Sequence, residues 1–265
     1  MIKLIRADIY RILRGKALYI TMAVLLVMNI IMVAATRAGG HVGITFSVED
    51  GVVEMMPTAV SGMSIPHALA ESMENFVFFL LPIIVVVAGA IFTHGTVKND
   101  IATGMSRTKL YVSKLLLSAA VCLLMLVFYI GVAMIIATIV GGFGGPAPAG
   151  HWIGLLQIFS AQYLLLLSLI SIGVFLAFTS KRTAVVNGAY IAFTLAPPMI
   201  FSLLAIANPS FMRYFDFDML SNIMLLANLP RLETIEILRA LGIAVFYLLA
   251  TTIGGIALFR KAEIK

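Results

Sequence analysis

The residue types able to do covalent or metal chemistry are few, and their spacing keeps them apart. Ser61-Gly62-Met63-Ser64 offers two hydroxyls of the kind an intramembrane protease would use as nucleophile. Such a serine needs a base within hydrogen-bond reach, yet the run falls in an external loop and the last apolar block has no histidine. His41, His67 and His151 lie in or beside external segments and His94 at the opposite edge, so no two share a helical face as a zinc pair would. Cys122 is the lone cysteine, which excludes an intramolecular disulfide and a multi-cysteine metal site. The run Gly141-Gly142-Phe143-Gly144-Gly145-Pro146 lacks the lysine of a phosphate cradle and reads as a turn, and no G-x-x-x-x-G-K-[ST] pattern occurs. These residues predict a chain that is not an enzyme, binds no metal or cofactor of its own, and works by position and movement.

The elements that must position the remaining polar residues follow from composition. Of 265 residues, 62% are hydrophobic and only 11% charged, with a mean hydropathy of +1.08. A soluble domain carries about 25% charged residues, so this composition predicts an all-α integral membrane protein. About 20 apolar residues at ~1.5 Å rise cross a hydrocarbon core of ~30 Å. That ruler predicts six transmembrane helices, over 17–36, 75–93, 110–140, 152–178, 184–206 and 238–259, in one transmembrane domain. Lys114 and Arg239 are the charges inside these limits, each near a block end where a long side chain can snorkel to the headgroups. Pro197-Pro198 should kink or unwind the fifth span.

Charge sets the orientation. The face holding both termini, the 94–109 connection with Lys114 and the 179–183 turn has 14 Lys/Arg against three acids, and the other face has 4 against nine. The positive-inside rule places both termini in the cytoplasm of a multi-pass protein, so the net charge of +6 is a topology signal and predicts no nucleic-acid partner. Residues 1–36 loosely resemble a secretory signal, but the apolar run of 20 residues exceeds the ~7–15 of a signal core. In residues 1–16, Ile2, Ile5, Ile9 and Ile12 repeat at helical spacing, with Lys3, Arg6, Arg11 and Arg14 on the other side. This predicts an amphipathic interfacial helix with membrane lipids as partners. In the 207–237 loop, Met219-Leu220 and Ile223-Met224-Leu225-Leu226 predict a short helix dipping into the outer interface.

Between spans two and three, Thr96 can cap a short helix that stops at Gly104, and Ser106 can cap the third span. A crosswise helix here is the part through which an outside motor would move the spans. The run Gly-Thr-x-Lys-Asn from Gly95, then Gly-x-Ser-Arg-Thr-Lys-x-Tyr-x-Ser-Lys from Gly104, resembles the coupling segment of six-span permease subunits of type-2 ABC exporters. The likeness is closest to bacterial permeases that export or resist antimicrobial peptides. It implies a bacterial cell membrane, a separate ABC ATPase subunit carrying ATP and Mg, and a second permease copy. It also implies that Thr96, Val97, Lys98, Asn99, Asp100, Ile101 and Arg107 couple to that ATPase, with Val97 and Ile101 as a shared apolar face.

Mid-membrane polar groups are neutral. Asn29, Gln157, Gln162 and Asn187 could line a path, but helix packing is the favoured role. A neutral interior below an acidic outer face fits an amphipathic or peptide-like cargo. The alternatives are export of a lipid or hydrophobic drug, or ion-coupled secondary transport, which usually keeps ionisable groups at mid-membrane.

Overall fold

The computed structural model describes residues 2–38, 60–93, 97, 104–145 and 149–262. Among the described residues there is no strand, and six helices are long and apolar enough to cross a membrane. Helix α1 (Ile2–Arg14) precedes α2 (Lys16–Arg37), the first span. A short α3 (Ile65–Glu71) follows, outside the spans. The second span is built from α4 (Glu74–Val77), α5 (Leu80–Ile84), a π turn (Val85–Gly89) and α6 (Ala90–Thr93). Spans three to five are α7 (Arg107–Gly141), α8 (Ala149–Ser180) and α9 (Thr183–Ala207). A 3-10 segment (Pro209–Phe217), α10 (Met219–Leu225) and a second 3-10 segment (Leu226–Arg231) lead to α11 (Thr234–Lys261), the sixth span.

The local signals explain where the helices start. Ser106 is extended and its side chain accepts a hydrogen bond from the Lys109 amide, as an N-cap should. Glu233 and Glu236 form a reciprocal capping box at the head of α11. Helix α9 stays helical through Pro197 and Pro198, which corrects the expected unwinding. Membrane helices tolerate such prolines when neighbouring groups satisfy the freed backbone. The irregular span is the second. It contains Pro82, which has no amide hydrogen to donate, and it takes up an extra residue per turn at Val85–Gly89.

Spans two and four form the centre. In the most apolar stretch of each, 50% and 61% of residues are buried, against 11% in the sixth span. The sixth span thus turns Ile235, Leu238, Phe246, Leu249 and Ile253 to its surroundings. Lipid tails are as apolar as leucine, so close backbone approach and polar bridges must hold such helices together. Both occur. A Cβ at Gly173 of the fourth span would collide with Ile84 of the second. Ser171 Oγ lies 2.7 Å from Thr251 Oγ1 and 3.0 Å from Thr252 Oγ1 of the sixth span. Tyr163 donates to the Ala119 carbonyl of the third span at 2.9 Å, and Tyr190 of the fifth to the Val77 carbonyl of the second at 3.2 Å.

Labelling checks the orientation expected from the charge asymmetry. In a Cys122→Ser background, a cysteine at exposed Ser210 is expected to react with an impermeant thiol reagent in intact cells. One at exposed Lys109 is expected to react only after the cells are opened. Equal reaction of both in intact cells would contradict both-termini-inside.

Candidate functional site

The basic face gathers the residues that tie several elements into one corner. Arg107, in the first turn of the third span, donates from Nη1 to the carbonyls of Phe259, Arg260 and Ala262 at 3.2, 2.8 and 2.7 Å. The last carbonyls of a helix have no partner within it and carry the negative end of its dipole, so a guanidinium is their natural cap. One turn further, Tyr111 is fully buried and its hydroxyl donates to the Thr251 carbonyl at 3.3 Å. Gly255 allows this approach, since a Cβ there would land on the Tyr111 ring. The Phe178 ring packs against Phe92, Tyr111 and Phe259 at centroid distances of 5.2, 4.8 and 4.8 Å. These four rings come from the basic ends of spans two, three, four and six.

Helix α1 joins the same corner through a buried ion pair. Lys114 Nζ is 2.6 Å from Asp8 Oδ2, with the two side chains only 1% and 8% exposed, and Arg11 reaches Asp8 Oδ1 at 3.1 Å. This corrects two expectations. Lys114 does not snorkel to the headgroups, because Asp8 supplies a countercharge inside the protein. The isoleucines of α1 do not form one stripe either: Ile12 is buried while Ile9 is exposed. Turning Asp8 toward Lys114 brings the Asp8–Ile12 edge of α1 against the spans and leaves Ile9 and Leu13 exposed.

The residues singled out for coupling divide in two. Thr96, Lys98, Asn99, Asp100 and Ile101 lie outside the described residues. Val97 is helical and 4% exposed, packed in the chain's own core. That burial leaves Val97 little surface of its own to offer a partner. Arg107 faces the end of α11 and acts there as a clasp. Gly104 has φ +84, a conformation suited to glycine and to the expected helix stop.

The polar residues of the spans are placed unequally. Gln162 is fully buried and donates from Nε2 to the carbonyls of Ala70 at 2.8 Å and Ile223 at 2.9 Å, tying α3 and α10 to the fourth span. Asn29 donates to the Tyr129 carbonyl at 3.2 Å, linking spans one and three. Asn187 is half-buried. Gln157 is exposed on α8, next to the fully buried Ile158. Arg239 meets Asp216 Oδ2 at 2.8 Å, so it too pairs with a carboxylate where snorkelling was expected.

The face opposite the basic one is a packed layer. The predicted dipping helix is α10, with Met219, Leu220 and Ile223 buried. It is capped by Asp218, which accepts from the Ser221 amide and hydroxyl at 2.8 Å each. Burial pushes the Asp218 carboxyl above its usual range, against the pull of those hydrogen bonds. Ser61 and Ser64 hold each other in a turn, with Oγ atoms 3.2 Å apart. The His67 and His151 rings meet edge to face at 5.1 Å. Burial, with His151 second, lowers the His67 pKa while Glu71 opposes the shift. Glu74, one residue ahead of the expected 75–93 span, sits in the first turn of the second span at 4% exposure. Among the described residues no three His, Cys, Asp or Glu could hold a metal ion. No protein-family model matches the chain, and no curated protein matches it.

Proposed function

We propose that this chain is the membrane-spanning permease subunit of an ATP-driven exporter of the type-2 ABC kind, moved by a separate ATPase subunit and working beside a second permease copy. The carrying observation is the corner. Segment 95–106 begins just after Phe92 and ends at Arg107, and both of these residues are tied to other spans. A displacement of that segment would pass at once to the second and third spans, to the end of the sixth through Arg107, and to α1 through Asp8 and Lys114. That is the mechanical arrangement a permease needs if the energy arrives from outside the membrane.

An amphipathic or peptide-like cargo is supported by a cavity of about 190 Å3 beneath the outer layer, where Phe193, Phe201, Phe217 and Tyr247 surround the buried Asp218. Aromatic walls with one carboxylate suit a molecule that is apolar with a positive group. A lipid or hydrophobic drug would use the walls alone. Ion-coupled transport is the second reading, and buried Glu74 is the residue that favours it.

The purified chain alone is expected to hydrolyse no ATP, and an ATPase subunit is expected to co-purify with it from native membranes. Because Val97 faces inward, the discriminating substitution is the paired charge reversal Lys98→Glu with Asp100→Lys. It should lower ATPase co-purification about tenfold or more while leaving insertion intact. ATP turnover by a partner-free preparation, or unchanged co-purification of the reversed variant, would defeat the coupling assignment. Uptake driven by a proton gradient and abolished by Glu74→Gln would replace it with the carrier.

A further inference from the structure

On the basic face a cavity of about 350 Å3 opens between α1, the π turn of the second span and the start of α9. Its volume is within the ~300–1,000 Å3 of ordinary ligand sites. Arg11 and Thr183 supply the polar lining, and Ile12, Val85, Val86 and Ala90 the apolar part. The cavity therefore has a polar edge and an apolar floor, which is the division found in an amphiphile.

All but one of the charges around it are positive. Arg11 gives one nitrogen to Asp8 at 3.1 Å and its side chain remains 35% exposed. A guanidinium carries five N–H donors in a fork that matches phosphate oxygens. Exposed Arg182 and Lys181 precede Thr183, and exposed Lys16 follows Gly15 of the lining. Asp8 is the one carboxylate of this face among the described residues, and it is shared between Lys114 and Arg11. The neighbouring surface of α1 is exposed and apolar at Ile9 and Leu13, so the opening adjoins a surface of the kind acyl chains cover.

We propose that this notch is a binding site for one anionic phospholipid, with its phosphate against Arg11 and an acyl chain along Val85, Val86 and Ala90. A free phosphate would leave the apolar floor bare, and a zwitterionic lipid would gain less from the surrounding bases. The π turn has a part in this, because the extra residue it takes up belongs to the stretch that supplies Val85 and Val86 to the floor. The inference goes beyond the exporter reading and holds whether or not an ATPase docks on this face.

The test is native mass spectrometry of the full chain released from bilayer discs containing equal phosphatidylglycerol and phosphatidylcholine. One phosphatidylglycerol per chain is expected to stay bound. Ala90→Leu, which fills the floor from the second span and leaves the Asp8 pair untouched, should lower that retention about tenfold. Arg11→Gln should lower it similarly and erase the preference for phosphatidylglycerol. Thermal melting of both variants reads folding separately, and Val85→Phe fills the same floor if Ala90→Leu melts early. Excess inorganic phosphate should not displace the lipid. Equal retention of both lipids by the wild type, unchanged retention in a folded cavity-filling variant, or displacement by phosphate alone would each overturn the site.

Discussion

Asp8→Asn is expected to destabilise the protein by roughly 3 to 5 kcal/mol, the range for removing one partner of a buried ion pair. The substitution takes away the carboxylate that offsets the desolvation of Lys114, whose side chain is 1% exposed. Lys114→Met should cost less, since Asp8 keeps Arg11 at 3.1 Å. The double variant should recover much of the loss, because a neutral amide facing a thioether carries no unbalanced charge. The asymmetry of the two single variants and the recovery in the double one separate an electrostatic anchor from a packing contact. Unfolding in mixed detergent gives the stabilities, and protease cutting near Arg14 reports release of α1. If Asp8→Asn melts with the wild type and α1 stays protected, the ion pair is not what holds the helix.

Gln162→Leu is expected to loosen the layer opposite the basic face while sparing the basic corner. The carbonyls of Ala70 and Ile223 belong to the last turns of α3 and α10, where a helix has no amide of its own to offer them. Gln162 Nε2 serves both at 2.8 and 2.9 Å. Leucine fills a similar volume and leaves two buried acceptors unmet, at roughly 1–3 kcal/mol each. Hydrogen exchange should rise across 65–77 and 219–225 and stay unchanged at 107–114. Protection of both short helices at wild-type levels would show that their apolar sides suffice.

The spans were legible because a run of apolar residues long enough to cross the hydrocarbon has few other fates. The cap at Ser106 and the dipping helix at 219–225 were legible for the same reason, since each is written in neighbouring residues. What the sequence hid was pairing at long range. Asp8 is the only acid in the first 48 residues, and Lys114 lies about two turns into the third span, yet nothing local joins positions 106 residues apart. The same holds for Gln162, whose two partners lie 92 and 61 residues away. Arg107 was read as a partner-facing charge because a basic residue at a span end looks alike whether it meets solvent or the end of another helix. Val97 is buried where periodicity offered only an apolar face, since periodicity does not say which neighbour covers that face. The second span was drawn from 75, leaving Glu74 just outside, because a carboxylate lowers hydropathy at the edge of a span even when the fold buries it.

The reach of the Arg107 clasp also fixes an order of events during synthesis. Its acceptors lie 152 to 155 residues downstream, at the C-terminal end of the sixth span. A chain made from its N-terminus emerges with the third span long before those carbonyls exist. Through that interval the guanidinium has only water and headgroups, and the turn carrying it is held by its own Ser106 cap. The Asp8 contact can form once the third span is in place, so α1 settles early and the corner closes last. A nascent chain therefore passes through a stage with its early spans inserted and the route to the sixth span still open.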